Sequence, residues 1–212
     1  MVKYSRKKNT KPKEVPNVII TLINTKINIE NKFTCSISND VLNKYEINNN
    51  IKFLNKSHSY KIVFNNKERE LLCPIYINKN GTKTVVIPSL KIPRRKYPVY
   101  AYLYGVAEYL SSNKSMRKVA AEIRRKFGAD TFSHSTLSRV LKKLISNLQG
   151  IKKCAGVDRC VEVVKRNHWT ESYAQQALEL LCCLNCILKD PEAWSACLAY
   201  DFFMSNNGQY IF

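Results

Sequence analysis

Ser115-Met116-Arg117-Lys118-Val119-Ala120-Ala121-Glu122-Ile123-Arg124-Arg125-Lys126-Phe127-Gly128-Ala129-Asp130-Thr131-Phe132-Ser133-His134-Ser135-Thr136-Leu137-Ser138-Arg139-Val140-Leu141-Lys142-Lys143-Leu144 decides how this chain is read. Met116, Val119, Ala120, Ile123 and Phe127 recur at helical spacing, and so do Leu137, Val140, Leu141, Leu144, Ile145 and Leu148. Ser115 and Ser133 stand where a hydroxyl can accept the orphan N–H groups of a helix start. Gly128 follows Phe127 as a stop, since glycine enters the left-handed conformation that ends helices. Two helices joined by a short turn containing glycine are the skeleton of a helix-turn-helix.

Upstream, Val99, Leu103, Val106, Ala107 and Leu110 form a third apolar stripe, so a three-helix unit is expected over residues 97–149. Its charge separates it from a generic bundle. Between Lys91 and Lys143, thirteen basic residues stand against Glu108, Glu122 and Asp130, an excess of ten. With the third stripe buried, the last helix turns outward His134, Ser135, Thr136, Ser138, Arg139, Lys142 and Lys143. Short polar side chains can approach base edges, the Arg139 fork suits a guanine, and the lysines suit phosphates. Ser133, Arg117, Lys118, Arg94, Arg95 and Lys96 complete the candidate DNA-contacting set. The plain alternative is a solvated basic face on a structural bundle.

The rest of the chain agrees with a polyanion partner. Lys and Arg number 35 against 16 Asp and Glu, a formal net charge of +19, while 45% of the 212 residues are apolar, enough for a core. No stretch approaches the ~20 apolar residues of a membrane span, and the basic N-terminus has no signal-like core. A cytoplasmic protein with no membrane partner is therefore expected, its eight Cys being thiols or metal ligands.

Residues 1–15 read as a basic flexible arm, either a solvated tail or a phosphate-contacting one. Residues 16–96 have the texture of strands, in Val18–Ile23, Tyr60–Phe64, Glu70–Leu72 and Thr84–Ile87, with Asn48-Asn49-Asn50 and Asn65-Asn66 as turn formers. Residues 158–205 read as further helices, one carrying Ala174, Ala177, Leu178, Leu181 and Cys182, the other opening at Asp190-Pro191-Glu192. The expected class is α+β: a small ribbon-like β domain, a three-helix helix-turn-helix, then C-terminal helices.

The run Arg69-Glu70-Leu71-Leu72-Cys73-Pro74, continued by Ile87-Pro88-Ser89-Leu90-Lys91-Ile92-Pro93-Arg94-Arg95-Lys96-Tyr97, resembles an uncharacterised bacterial family associated with insertion sequences. Ser115-Met116-Arg117-Lys118-Val119-Ala120 and Ser133-His134-Ser135-Thr136-Leu137 are similar to its two helix starts. The resemblance covers about residues 33–148. It implies a zinc ribbon running into a helix-turn-helix related to transposase DNA-binding domains. The chain departs from it where metal would bind: Cys35 is followed at the ligand spacing by Ser38, and Cys73 by Tyr76. Two thiolates do not close a tetrahedral zinc site, so a degenerate ribbon without metal or other cofactor is expected. Cys183-Leu184-Asn185-Cys186 lies in an apolar helical stretch and reads as core packing.

No enzyme is expected. About 64 residues follow the helix-turn-helix, too few for a nuclease domain holding two metal ions between carboxylates. The three His, at 58, 134 and 168, form no pattern. The sequence thus points to a DNA-binding protein of mobile-element origin, accessory or regulatory, bound to double-stranded DNA and alongside a second copy or a transposase. The alternative is a protein-interaction module whose C-terminal helices pair with a partner chain.

Overall fold

The computed structural model describes residues 18–64, 66–155, 163–164 and 166–212; the expected basic arm lies outside them, as do Cys160 and the start of the expected C-terminal region. The class is α+β. The elements run β1 (Val18–Ile23), β2 (Ile27–Ile29), β3 (Thr34–Ile37), α1 (Asn39–Asn49), β4 (Lys52–Phe64), β5 (Lys67–Ile77), β6 (Lys83–Pro88), α2 (Val99–Ser111), α3 (Met116–Phe127), α4 (His134–Ser146), α5 (Leu148–Cys154), α6 (Glu171–Lys189) and α7 (Pro191–Ser205).

The strands form one mixed six-stranded sheet, ordered β1-β6-β5-β3-β2, with β4 on the other edge of β5. β1 runs parallel to β6 and β3 parallel to β5, while the remaining pairings are antiparallel. Alternation along the strands supplies two apolar faces, because successive side chains point to opposite sides. Leu22, Leu71, Cys73, Val85 and Ile87 face the helices, whereas Ile23, Tyr76 and Val86 face Val41, Leu42 and Tyr45 of α1. The helix α1 was not foreseen. Its Asn-rich sequence has weak helix propensity, and Asn48 and Asn49, expected in a turn, end the helix instead, with Asn50 as its left-handed cap at φ 50°.

The two expected knuckles need correcting. Cys35 lies within β3 and Cys73 within β5, and Ser38 sits at the N-cap position of α1. In a strand, residues three apart project to opposite faces, so Cys73 packs toward the helices while Tyr76 is buried on the far side. Burial pushes the Cys35 thiol up to about 11 and the Cys73 thiol to about 12, as suits packing groups. His58 is exposed opposite Cys73, its ring 4.5 Å from that of Tyr60. Among the described residues, no three His, Cys, Asp or Glu side chains form a metal site.

The sheet and the helices share one core running from Leu22 to Phe212, so no gap in packing marks the expected boundary at 96/97. At its centre lies α2, apolar nearly all round, with Val99, Leu103, Val106, Ala107 and Leu110 buried as expected and Tyr100, Tyr102 and Tyr109 buried as well. It packs on α3, α4, α6 and α7. The third stripe is interrupted: α4 ends at Ser146, Asn147 caps it, and Leu148 opens α5. No helix among the described residues is long and apolar enough to cross a membrane.

Candidate nucleic-acid interface

The helix starts and stops of the three-helix unit are set by side chains that the sequence marks. The Ser115 hydroxyl accepts the Lys118 N–H at 3.3 Å, and the Ser133 hydroxyl accepts the Thr136 N–H at 3.1 Å. Gly128 closes α3 in the left-handed region at φ 60°. A side chain there would be strained, and its Cβ would stand 2.6 Å from the Asn66 Cα. The tip of the β4–β5 hairpin is therefore packed on the turn between α3 and α4.

Three further contacts hold that turn. Arg124 donates to the Phe132 carbonyl at 2.8 Å. The Tyr97 hydroxyl lies 2.6 Å from the Thr131 hydroxyl and accepts the Thr131 N–H at 2.9 Å. The rings of Tyr97 and Tyr102 both pack against Phe132. The segment leading out of the sheet is thereby fixed to the start of α4. Nothing in the sequence signals the Tyr97 contact, because its partner lies 34 residues away.

On α4, Leu137, Val140, Leu141 and Leu144 are buried. The opposite face exposes His134, Ser135, Arg139, Lys142 and Lys143, with Ser133, Thr136 and Ser138 half-buried at its margins. At ~100° per residue, Ser135, Arg139 and Lys142 share one outward stripe. The Arg139 Nε donates to the Ser135 carbonyl at 3.2 Å, which lays the guanidinium along the helix. Among the described residues, no carboxylate pairs with Arg139, Lys142 or Lys143. Arg117 and Lys118 are exposed at the end of α3 away from the turn. Arg125, absent from the expected set, is exposed on the same helix.

Other basic residues of this stretch have different fates. Lys91, counted as surface charge from sequence, is 2% exposed. Its amine donates to the Lys61 carbonyl at 2.7 Å and to the Arg95 carbonyl. Burial pulls it down to about 8. Arg94 is exposed, Arg95 is half-buried with its guanidinium over the rings of Tyr102 and Phe212, and Lys96 pairs with Glu68 at 2.7 Å. Lys126 lies 3.9 Å from the Tyr104 ring centre. Lys114 pairs with Glu108 and Glu122 at 2.6 and 2.9 Å. Of the expected set, the structure gathers Ser133 to Lys143 on one face and ties Arg94 to Lys96 near its start. It leaves Arg117 and Lys118 at the other end of α3.

Compared with family models, with curated proteins and with solved structures, the chain matches none.

Proposed function

We propose that the protein binds double-stranded DNA by placing α4 in the major groove, as an accessory or regulatory relative of transposase DNA-binding domains. The observation that supports this most is the outward face of α4. It is a capped helix with short polar side chains at its N-terminal end and Arg139, Lys142 and Lys143 beyond them, none paired with a carboxylate among the described residues. Such a face costs self-repulsion and gains only when a polyanion covers it. In this reading Ser135 and Arg139 address base edges, and Lys142 and Lys143 address phosphates. The protein acts in the cytoplasm, beside a second copy or a transposase.

Random duplexes carried through a salt titration test the proposal. Binding should weaken with a logarithmic salt slope of about 0.9 per phosphate contacted. Arg139→Ala with Lys142→Ala should cost ten-fold or more in affinity while the unfolding midpoint stays put. Absence of a shift on any duplex at low salt, or a double variant that binds like the parent, rules the proposal out.

A further inference from the structure

A cleft of about 520 Å³ opens between the sheet edge and the segment that leads into α2. On one side stand Ser59, Tyr60 and Lys61 of β4 with Glu68 of β5, on the other Lys91 and Arg94 to Lys96. Among the described residues, five cations thus line it against one carboxylate, that of Glu68, which Lys61 and Lys96 already share at 3.7 and 2.7 Å. The deepest cation, Lys91, has no carboxylate partner among the described residues. An ammonium has three N–H donors. Two of those of Lys91 meet carbonyls, and the Tyr60 ring lies 5.9 Å away. Taking a cation out of water without an anion is costly, and the lowered proton affinity of this amine is the sign of it.

A second observation points the same way. Arg95 N–H donates to the Ile92 carbonyl at 3.1 Å, closing a turn with Pro93 first and Arg94 second at its centre. Arg94 has φ 65°. That is the position in which this turn favours glycine, and a residue with a side chain is strained there. The turn therefore holds an exposed guanidinium at the cleft mouth in a strained backbone.

We propose that this cleft is a phosphate-binding site, with Arg94 at its mouth and Lys91 at its floor. It rests on the reading of the protein as DNA-binding for the source of the phosphate, a backbone phosphodiester beside the groove that α4 enters, but not for the phosphate chemistry itself. Tyr97, two residues beyond Arg95 and hydrogen-bonded to Thr131, fixes the cleft relative to the start of α4. A backbone phosphate seated here would set the register of α4 along the duplex.

Arg94→Gly tests this without threatening the fold, since glycine relieves the strained φ. Inorganic pyrophosphate, titrated into the full chain by calorimetry, should bind the parent and bind Arg94→Gly at least ten-fold more weakly, at an equal or higher unfolding midpoint. Arg139→Ala with Lys142→Ala should bind pyrophosphate like the parent. Glu68→Gln, which removes the competing carboxylate, should tighten it. On duplex DNA, Arg94→Gly should lower the salt slope by about one contact's worth, 0.9. If pyrophosphate binding depends on Arg94 but the DNA slope does not change, the site holds a free phosphate compound. If pyrophosphate binds this way and no duplex binds, the DNA reading fails and the cleft stands. If pyrophosphate does not bind, or binds Arg94→Gly equally, the cleft proposal is overturned, while the α4 variants still judge the DNA reading separately.

Discussion

Two groups of cations, one on the outward face of α4 and one where α2 meets α3, behave differently. Along the outward face of α4, Arg139, Lys142 and Lys143 have no carboxylate partner among the described residues. Where α2 ends and α3 begins, Arg117 and Lys118 stay exposed, but two other cations are committed to the fold. Lys114 bridges Glu108 and Glu122, and one Arg166 nitrogen donates to the carbonyls of Tyr109, Ser112 and Lys114 at 3.0, 2.6 and 3.0 Å. Those carbonyls belong to the end of α2 and the loop after it, where a helix leaves acceptors unpaired and its dipole favours a cation. The same residue types either close a helix or await a polyanion, depending on which acceptors the fold brings to them. Net charge measures the sum of the two and cannot separate them.

The strongest way to break this contrast is Arg166→Ala. It removes charge-assisted hydrogen bonds and the packing of the guanidinium 4.7 Å from the Tyr109 ring centre, leaving carbonyls without partners. A loss of about 3 kcal/mol in stability is expected, read by urea unfolding. Arg166→Lys should recover little of it, because an ammonium cannot reproduce the planar fork. The salt slope on DNA, measured well below the unfolding transition, should not move. A slope that falls would make Arg166 a phosphate contact and erase the distinction between the clusters.

Ser133→Ala sharpens the contrast from the other side. The hydroxyl accepts the Thr136 N–H and lies 3.0 Å from the Thr136 hydroxyl, so its removal should cost about 1 kcal/mol and loosen the first turn of α4. DNA affinity should drop by a few-fold with the salt slope kept, because the reading face loses its fixed start but no cation. An unchanged midpoint with unchanged affinity would show that the cap does not position that face.

How much of this was legible in the sequence follows from where each partner lies. Ser115, Gly128 and Ser133 act on neighbours within a turn of helix, so their roles could be read from spacing, and the buried stripes of α2, α3 and α4 came out as the period demanded. Strands β1 and β6 were legible from β-branched runs. Helix α1 was not, since its Asn-rich sequence gives weak propensity and none of its residues is fully buried. Lys91 looked like surface charge because the carbonyl that buries it belongs to Lys61, 30 residues away. Arg166 was invisible for the same reason, its acceptors lying 52 to 57 residues upstream. The outward face of α4 was legible because it needs only the period of one helix, whereas the cleft around Lys91 needs the pairing of a sheet edge with a distant turn.

The smallest expected effect is the most telling control. Lys114 forms the two shortest ion pairs of the α2–α3 end, yet its side chain is 39% exposed, and exposed pairs contribute little once side-chain entropy and solvent screening are counted. Lys114→Met should therefore cost only about 0.5 kcal/mol. The hydrogen bond to Glu108, then that to Glu122, holds the Lys114 ammonium above its ordinary value of 10.5. A raised proton affinity in the folded state stabilises fully below the unfolded value and fades only as pH climbs past it. The difference between parent and variant should then be flat from about pH 7 to about pH 9 and shrink only in stronger alkali. Its salt slope on DNA should equal the parent's, because both carboxylates already neutralise the charge that a phosphate would otherwise meet. If Lys114→Met lowered that slope by the same 0.9 expected for a contacting lysine, pairing in the fold would not decide which cations reach DNA, and the α4 face would lose its claim to be distinct.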